Sequence, residues 1–142
     1  MKRNEQKVEN TWKTEDIFKD EAAFLACLDT CKELGNELCD YDGKLGNASN
    51  LLSFLKGYEK LTCLLDDCLG YSSLLSDQDT ADAHHQELKG KANALAVEIF
   101  TKLSFSDVQI MHIENLESFY ASKPILERYR VYLEEVCHLK EP

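Results

Sequence analysis

The sequence predicts an all-α protein: an antiparallel helical bundle of about five helices with a long central helix hairpin and an extended N-terminal arm. Three observations support this fold class. Apolar residues recur at three- and four-residue intervals along most of the chain, proline occurs only at Pro124 and Pro142, and no segment alternates like a half-buried strand. A chain of 142 residues can bury one core without disulfides. We therefore expect an arm over residues 1–18 and one helical bundle domain over 19–142.

The first helix follows this polar arm, in which Trp12 and Phe18 are apolar residues that could dock on the rest of the protein. Asp20 is a good N-cap residue, because its carboxylate can accept a hydrogen bond from the free N–H groups of a first helical turn. Apolar residues then follow at helical spacing: Phe24, Leu28, Cys31, Leu34 and Leu38. The stretch around Gly43 and Gly46 predicts a turn after this helix.

The second and third helices are predicted to be the longest. The second begins near Ser49 and carries an apolar stripe through Leu75. Gly57 and Gly70 each weaken a helix by up to ~1 kcal/mol, so we expect both to permit close contact with another helix. Thr80 is the expected cap of a third, alanine-rich helix. Small residues let helices approach closely, which predicts a long antiparallel hairpin.

Two shorter helices complete the prediction. Ser106 opens a fourth helix whose apolar side extends to Leu116. Pro124 restarts the chain, because proline is best tolerated in the first turn of a helix, and the last helix runs to about His138.

The charge balance restricts the possible partners. With 26 acidic and 16 basic residues, the formal net charge is −10. Nucleic-acid binding needs a basic patch to neutralise phosphates, and the basic residues are scattered among acids. No apolar run approaches the ~20 residues that cross a bilayer. We therefore expect neither a nucleic-acid nor a membrane partner.

Six cysteines with no preceding secretion signal predict reduced thiols in the cytoplasm. No Cys-x-x-Cys pair occurs, and such a pair is typical of zinc knuckles and redox motifs. The cysteines alternate with leucine on predicted helix faces, which favours core packing over a metal or redox role. They are Cys27, Cys31, Cys39, Cys63, Cys68 and Cys137.

Catalytic motifs are missing from the sequence. A zinc peptidase of the His-Glu-x-x-His type needs two histidines one helical turn apart and a glutamate that activates water. None of the four histidines is followed by glutamate. Glu135 and His138 form one Glu-x-x-His pair, but a di-iron bundle needs two. We therefore predict no catalytic, cofactor-binding or metal-binding residue in this chain.

Four blocks of sequence resemble the start of oligoendopeptidase F and its relatives in the thimet-oligopeptidase group. They contain tryptophan, glycine, tyrosine and proline in the same order and at similar spacing, along essentially the whole chain. The blocks are residues 9–18 with Trp12, residues 42–45, residues 71–74 with Asp77, Asp79 and Thr80, and residues 124–134 with Pro124, Ile125, Leu126, Tyr129, Arg130, Tyr132, Leu133 and Glu134.

The resemblance implies a function that the residues alone do not reveal. Family members are cytosolic zinc endopeptidases that cut short peptides inside a channel walled by helices, and their zinc motif lies far beyond the equivalent of Pro142. None of the family's catalytic residues maps onto this chain. The resemblance thus implies an N-terminal channel-wall segment that is not catalytically competent alone, because the zinc belongs to another part of the full-length enzyme.

Two interpretations follow for the partners. A channel-wall segment would expose an apolar face that the missing catalytic domain or a second copy covers, and short oligopeptides could contact it. The alternative is a free-standing helical adaptor or regulatory protein that binds a peptide or partner helix in a groove.

Overall fold

The computed structural model describes residues 17–138, and within this range it contains six α-helices, two 3-10 segments and no β-strand. The predicted all-α fold class is confirmed. The arm predicted over residues 1–18 lies outside the described residues, apart from Ile17 and Phe18. The α-helices are α1 (Glu21–Leu38), α2 (Ala48–Gln78), α3 (Ala83–Lys102), α4 (Phe105–Met111), α5 (Leu116–Ser122) and α6 (Arg130–His138), and the 3-10 segments are Cys39–Tyr41 and Pro124–Tyr129.

Polar side chains fix the starts of the first two helices. The Oδ1 atom of Asp20 accepts a hydrogen bond of 2.9 Å from the N–H of Ala23, so Asp20 is the N-cap that the sequence predicted. At the start of α2, Asn47 Oδ1 accepts from the N–H of Asn50 at 3.1 Å. Helix α2 therefore begins one residue before the predicted start at Ser49.

The predicted cap of the third helix was wrong. Asp82, and not Thr80, performs this role, because its Oδ1 accepts from the N–H groups of His84 at 2.8 Å and His85 at 3.2 Å. The backbone N–H of Asp82 in turn donates to the carbonyl of Asp79 at 3.1 Å. This tight turn delays the start of α3 beyond Thr80.

The fourth predicted helix is two helices. Helix α4 ends at Met111, and α5 starts at Leu116. The break has a local cause: the side chain of Asn115 accepts from the N–H of Ser118 at 3.2 Å and caps a new helix. Pro124 opens a helical segment as predicted, with a 3-10 first part that continues as α6 to His138.

The chain divides into two compact units. Among the described residues, the first unit comprises 17–33 and 61–99, and the second comprises 34–60 and 100–138. The expectation of a single domain over 19–142 stays a prediction.

The first unit contains an aromatic cluster at one end of its core. The ring centroid of Phe18 lies 6.0 Å from that of Phe24 and 5.3 Å from that of Tyr71, both edge-on, and Phe24 stacks on Tyr71 at 5.1 Å. Phe18 therefore docks, as its apolar character suggested. The other buried apolar residues of this unit include Leu28, Cys31, Leu61, Leu65, Cys68, Leu88, Ala92, Ala96 and Ile99.

Residues 79–82 connect α2 to α3, the two longest helices of the described chain. Beside this connection, Gln86 Nε2 donates a hydrogen bond of 2.6 Å to Ser76 Oγ and ties the two helices together. The buried residues Ala92 and Ala96 confirm the predicted alanine-rich face of α3.

The second unit is centred on Phe54, which is completely buried. Its ring centroid lies 5.9 Å from that of Tyr41, 5.7 Å from that of Tyr58 and 6.0 Å from that of Phe105. Leu38, Leu45, Leu51, Leu55, Leu103, Ile110, Tyr120, Leu126, Leu133 and Val136 are also buried in this unit.

The two glycines of α2 differ in their surroundings. A Cβ atom at Gly57 would lie 2.8 Å from Leu38 Cδ2, so the predicted close contact is confirmed there. Among the described residues, a Cβ atom at Gly70 would meet Ile17 Cδ1, at the ordinary contact distance of 3.8 Å. Within residues 17–138, the expected close helix contact is therefore absent at Gly70. Over residues 17–138, no helix combines the length and the apolar character that crossing a bilayer requires.

Candidate functional site

Two histidines, His84 and His85, lie at the start of α3. His84 Nε2 is hydrogen-bonded to Glu21 Oε1 of α1, and His84 Nδ1 lies 4.0 Å from Glu87 Oε2. The hydrogen bond to Glu21 and then its charge raise the pKa of His84 above the ordinary value. The backbone N–H groups of His85 and His84 lower the pKa of Asp82, which caps the same helix. These contacts fix a helix start.

His112 occupies the other short connection, at the end of α4. Its ring Nδ1 lies 2.7 Å from the carbonyl oxygen of Val108, within hydrogen-bond distance one helical turn back. No histidine between residues 17 and 138 joins two further cysteine, aspartate, glutamate or histidine ligand atoms in a compact group.

A cleft of about 680 Å³ opens within the second unit, beside the turn that contains Gly43 and the start of α5. Gln109 is one of the polar residues that line it. Its Nε2 donates to Asp42 Oδ1 at 2.7 Å, while its Oε1 is buried and has no hydrogen-bond partner among residues 17–138. A buried acceptor without a donor is costly, and because this atom has no solvent-accessible area it is not available to a ligand in the cleft. The lining residues are Gly43, Gly46, Val108, Gln109, His112, Ile113, Glu114, Asn115, Ser118 and Phe119.

Large apolar side chains are exposed on the second unit. Val131 of α6 is 71% exposed and Val108 of α4 is 51% exposed, and these two helices pack against each other. Phe100 and Ile125 are also exposed in this unit, whereas Val97 is the large hydrophobic residue exposed among the described residues of the first unit. Single exposed apolar residues are ordinary on a protein surface.

Arg130 holds the first turn of α6 in place. Its guanidinium binds Glu127 at 2.8 Å, Glu117 at 3.0 Å and Glu134 at 3.2 Å, and it lies over the ring of Tyr120, 4.2 Å from the centroid. The hydrogen bonds from Arg130 lower the pKa of Glu127. One arginine thus connects α5, the 3-10 segment and α6.

Tyr129 adds a second connection from the same segment. Its hydroxyl donates to Glu59 Oε2 of α2 at 2.6 Å. Tyr129 and Arg130 belong to the last of the four sequence blocks that carry the family resemblance. Their contacts show that this block secures helix packing within the second unit.

Three cysteines meet in the first unit. The Sγ atoms of Cys27, Cys31 and Cys68 all lie within 4.8 Å of one another, with Cys31 and Cys68 fully buried and Cys27 partly exposed. Burial confirms the predicted core packing of Cys31 and Cys68. The same expectation was wrong for Cys63, whose side chain is exposed.

Hydrogen bonding and burial within this thiol cluster lower the pKa of one thiol and raise the pKa values of the other two. A hydrogen bond from Cys68 lowers the pKa of Cys31, and donating that bond raises the pKa of Cys68. Burial raises the pKa of Cys27. Sequence spacing gave Cys27 and Cys31 a shared helix face, but it could not show that Cys68 of α2 joins them.

Comparison with known proteins agrees with the sequence blocks. Over 137 residues the chain is 33% identical to oligopeptidase PepF of Bacillus subtilis (strain 168), a match that covers 94% of this chain and 20% of the relative. It is 25% identical over 126 residues to group B oligopeptidase PepB of Streptococcus agalactiae serotype III (strain NEM316), covering 87% of this chain and 20% of the relative. The chain is homologous to oligoendopeptidase F. No family model and no solved structure matches it.

The oligoendopeptidase F-like chain spans about one fifth of the length of these two relatives. It therefore corresponds to one part of such a peptidase. Of the blocks that carry the resemblance, residues 42–45 form the turn beside the cleft, and residues 71–74 lie inside α2.

Proposed function

We propose that this chain is the N-terminal helical segment of an oligoendopeptidase F-like zinc metalloendopeptidase, in which it forms part of the wall of a channel that admits short peptides. The similarity to PepF supports this proposal, because it covers 94% of the chain but only 20% of the relative. The absence of a His-Glu-x-x-His motif from the sequence supports a segment without catalytic activity of its own. The zinc of the full-length enzyme would then be held by another part, and the enzyme would act in the cytoplasm.

A channel wall acts by shape, so it needs a stable surface and a contact face. The exposed side chains of Val108 and Val131 offer such a face on α4 and α6. In the proposed enzyme, the catalytic domain covers this face, and the helices restrict entry to flexible peptides. Folded proteins are then excluded by size.

A chimeric enzyme tests this proposal. The segment of B. subtilis PepF that matches this chain is replaced by residues 1–142, and zinc-dependent cleavage of a short internally quenched peptide is measured. We expect the chimera to cleave the peptide and to leave a folded protein substrate intact, whereas the isolated chain supplied with Zn²⁺ cleaves neither.

The control is PepF that lacks the matching segment. If this truncated enzyme keeps full activity and still rejects the folded substrate, the segment is not a channel wall. Chelator-sensitive peptide cleavage by the isolated chain would contradict the proposed lack of catalytic activity.

A free-standing adaptor that binds a peptide or a partner helix is the second candidate, favoured by the cleft at Gln109. The cleft is lined by the apolar residues Ile113 and Phe119 and by the polar residues Asn115 and Ser118, a mixture that suits an extended peptide. The same chimera separates the two candidates, because an adaptor would not restore peptidase activity to truncated PepF.

A further inference from the structure

We propose that Cys27, Cys31 and Cys68 form a binding site for a soft divalent metal ion of the Zn²⁺ class. All three Sγ atoms lie within 4.8 Å of one another. Around a tetrahedral zinc ion with bonds of ~2.3 Å, sulfur atoms are separated by roughly 3.8 Å. Small side-chain rotations therefore suffice to bring the three sulfurs onto one ion.

The helices position these ligands before any ion arrives. Cys27 and Cys31 lie one turn apart on α1 and so point from the same face, and Cys68 projects from α2. The complete burial of Cys31 and Cys68 holds two of the three side chains in packed surroundings. A site that is already assembled loses little conformational freedom when it binds.

Sulfur chemistry and charge together select the ion. Thiolates prefer soft metals, and the cluster contains no histidine or carboxylate that would favour a hard ion. Binding releases three protons from the three thiols and leaves three thiolates on the ion. A monovalent ion would leave two negative charges in the core, whereas a divalent ion leaves one. Because buried net charge is unfavourable, the divalent ion is preferred.

The ion can enter and complete its coordination from one side. Cys27 is partly exposed, so the cluster is accessible there. A water molecule that enters from this side can supply the fourth ligand that zinc usually has.

A cadmium titration of the whole chain tests the site. Cd²⁺ bound to thiolates gives a charge-transfer absorption in the ultraviolet, which reports thiolate ligation directly. We expect one Cd²⁺ per chain, displaced by Zn²⁺, and binding weakened at least about tenfold in Cys27→Ala and Cys68→Ala, because each variant lacks one ligand. Cys63→Ala is the matched control, since Cys63 lies on the same helix as Cys68 but is exposed and outside the cluster.

The result that overturns the proposal is equal weakening by Cys63→Ala, or unchanged binding in Cys27→Ala. Circular dichroism of each metal-free variant checks that its helices are retained. If a cluster variant unfolds, alkylation of the wild-type chain decides: Zn²⁺ should protect Cys27 from iodoacetamide and leave Cys63 reactive. Alkylation of Cys27 at the same rate with and without Zn²⁺ would reject the site.

Discussion

At the scale of single residues, His84 couples the start of α3 to the start of α1. Its Nε2 is hydrogen-bonded to Glu21, whereas Glu87 lies farther away, at 4.0 Å from Nδ1. The pKa of His84 is raised above the ordinary value of 6.5, mainly by the hydrogen bond to Glu21. A raised histidine pKa means that the ion pair stabilises the fold fully below the unfolded value. This contribution is lost as the pH rises from about 6.5 through the folded pKa.

Replacing Glu21 by glutamine should therefore lower the pKa of His84 toward its ordinary value. An NMR titration of the His84 ring protons measures this directly. The pKa is a better readout than stability, because Glu21 also favours the N-terminus of α1 through its negative charge.

Glu87→Gln is the matched control, since it removes the same charge from a more distant group. We expect a smaller fall in the His84 pKa than Glu21→Gln causes. Equal falls in the two variants would show that simple charge, and not the hydrogen bond to Glu21, sets the pKa.

Residue-level predictions from sequence succeeded where one local interaction decides the outcome. Asp20 caps α1 because an N-cap needs only its own following turn. Thr80 and Asp82 both lie in one polar stretch, and the turn from Asp79 to Asp82 selects between them. The thiol cluster depends on how α1 packs against α2, and no spacing within a single helix contains that information.

At the scale of helices, Gly57 lies where α2 closely contacts Leu38, the last residue of α1. A Cβ at this position would lie 2.8 Å from Cδ2 of Leu38, a side chain that is itself buried. Alanine favours a helix over glycine by ~0.5–1 kcal/mol. Whether replacing Gly57 by alanine raises or lowers the free energy of unfolding therefore depends on whether the Leu38 side chain can move aside.

Gly57→Ala should fail to gain this helical stabilisation. The methyl group displaces a packed leucine, so we expect the free energy of unfolding to stay level or to fall. Chemical denaturation followed by circular dichroism measures the change.

Gly90→Ala provides the control on α3, where an added Cβ meets no atom of the described part of the chain within 4 Å. This variant should raise the free energy of unfolding by ~0.5–1 kcal/mol. An equal gain in Gly57→Ala would show that the contact with Leu38 imposes no constraint.

Helix periodicity predicted the long elements better than the short ones. Helices α2 and α3 have enough turns for their buried stripes to be unambiguous. The stretch from Ser106 to Leu116 has apolar residues at suitable spacing, but Asn115 caps a new helix there. A short run of apolar residues at helical spacing therefore does not extend a helix past a residue that caps a new one.

At the scale of the whole molecule, the acidic charge and the exposed apolar residues have opposing effects. A formal net charge of −10 makes copies of the chain repel one another at low salt. Exposed Val108 and Val131 favour association, because burying each such side chain contributes about 1.5 kcal/mol or more. In the proposed enzyme this surface contacts the catalytic domain, so the isolated chain should use it for self-association.

We therefore expect reversible dimers of the isolated chain that strengthen as salt screens the repulsion. Val131→Glu should weaken the dimer by about tenfold or more, since a lost burial of ~1.4 kcal/mol corresponds to that factor. Sedimentation velocity over a concentration series measures the association.

Val97→Glu introduces the same charge at a side chain that is 67% exposed on α3, and it should leave the dimer intact except for a small charge effect. A wild-type chain that stays monomeric at every concentration and salt level, or equal weakening by both variants, would contradict a contact face on α4 and α6.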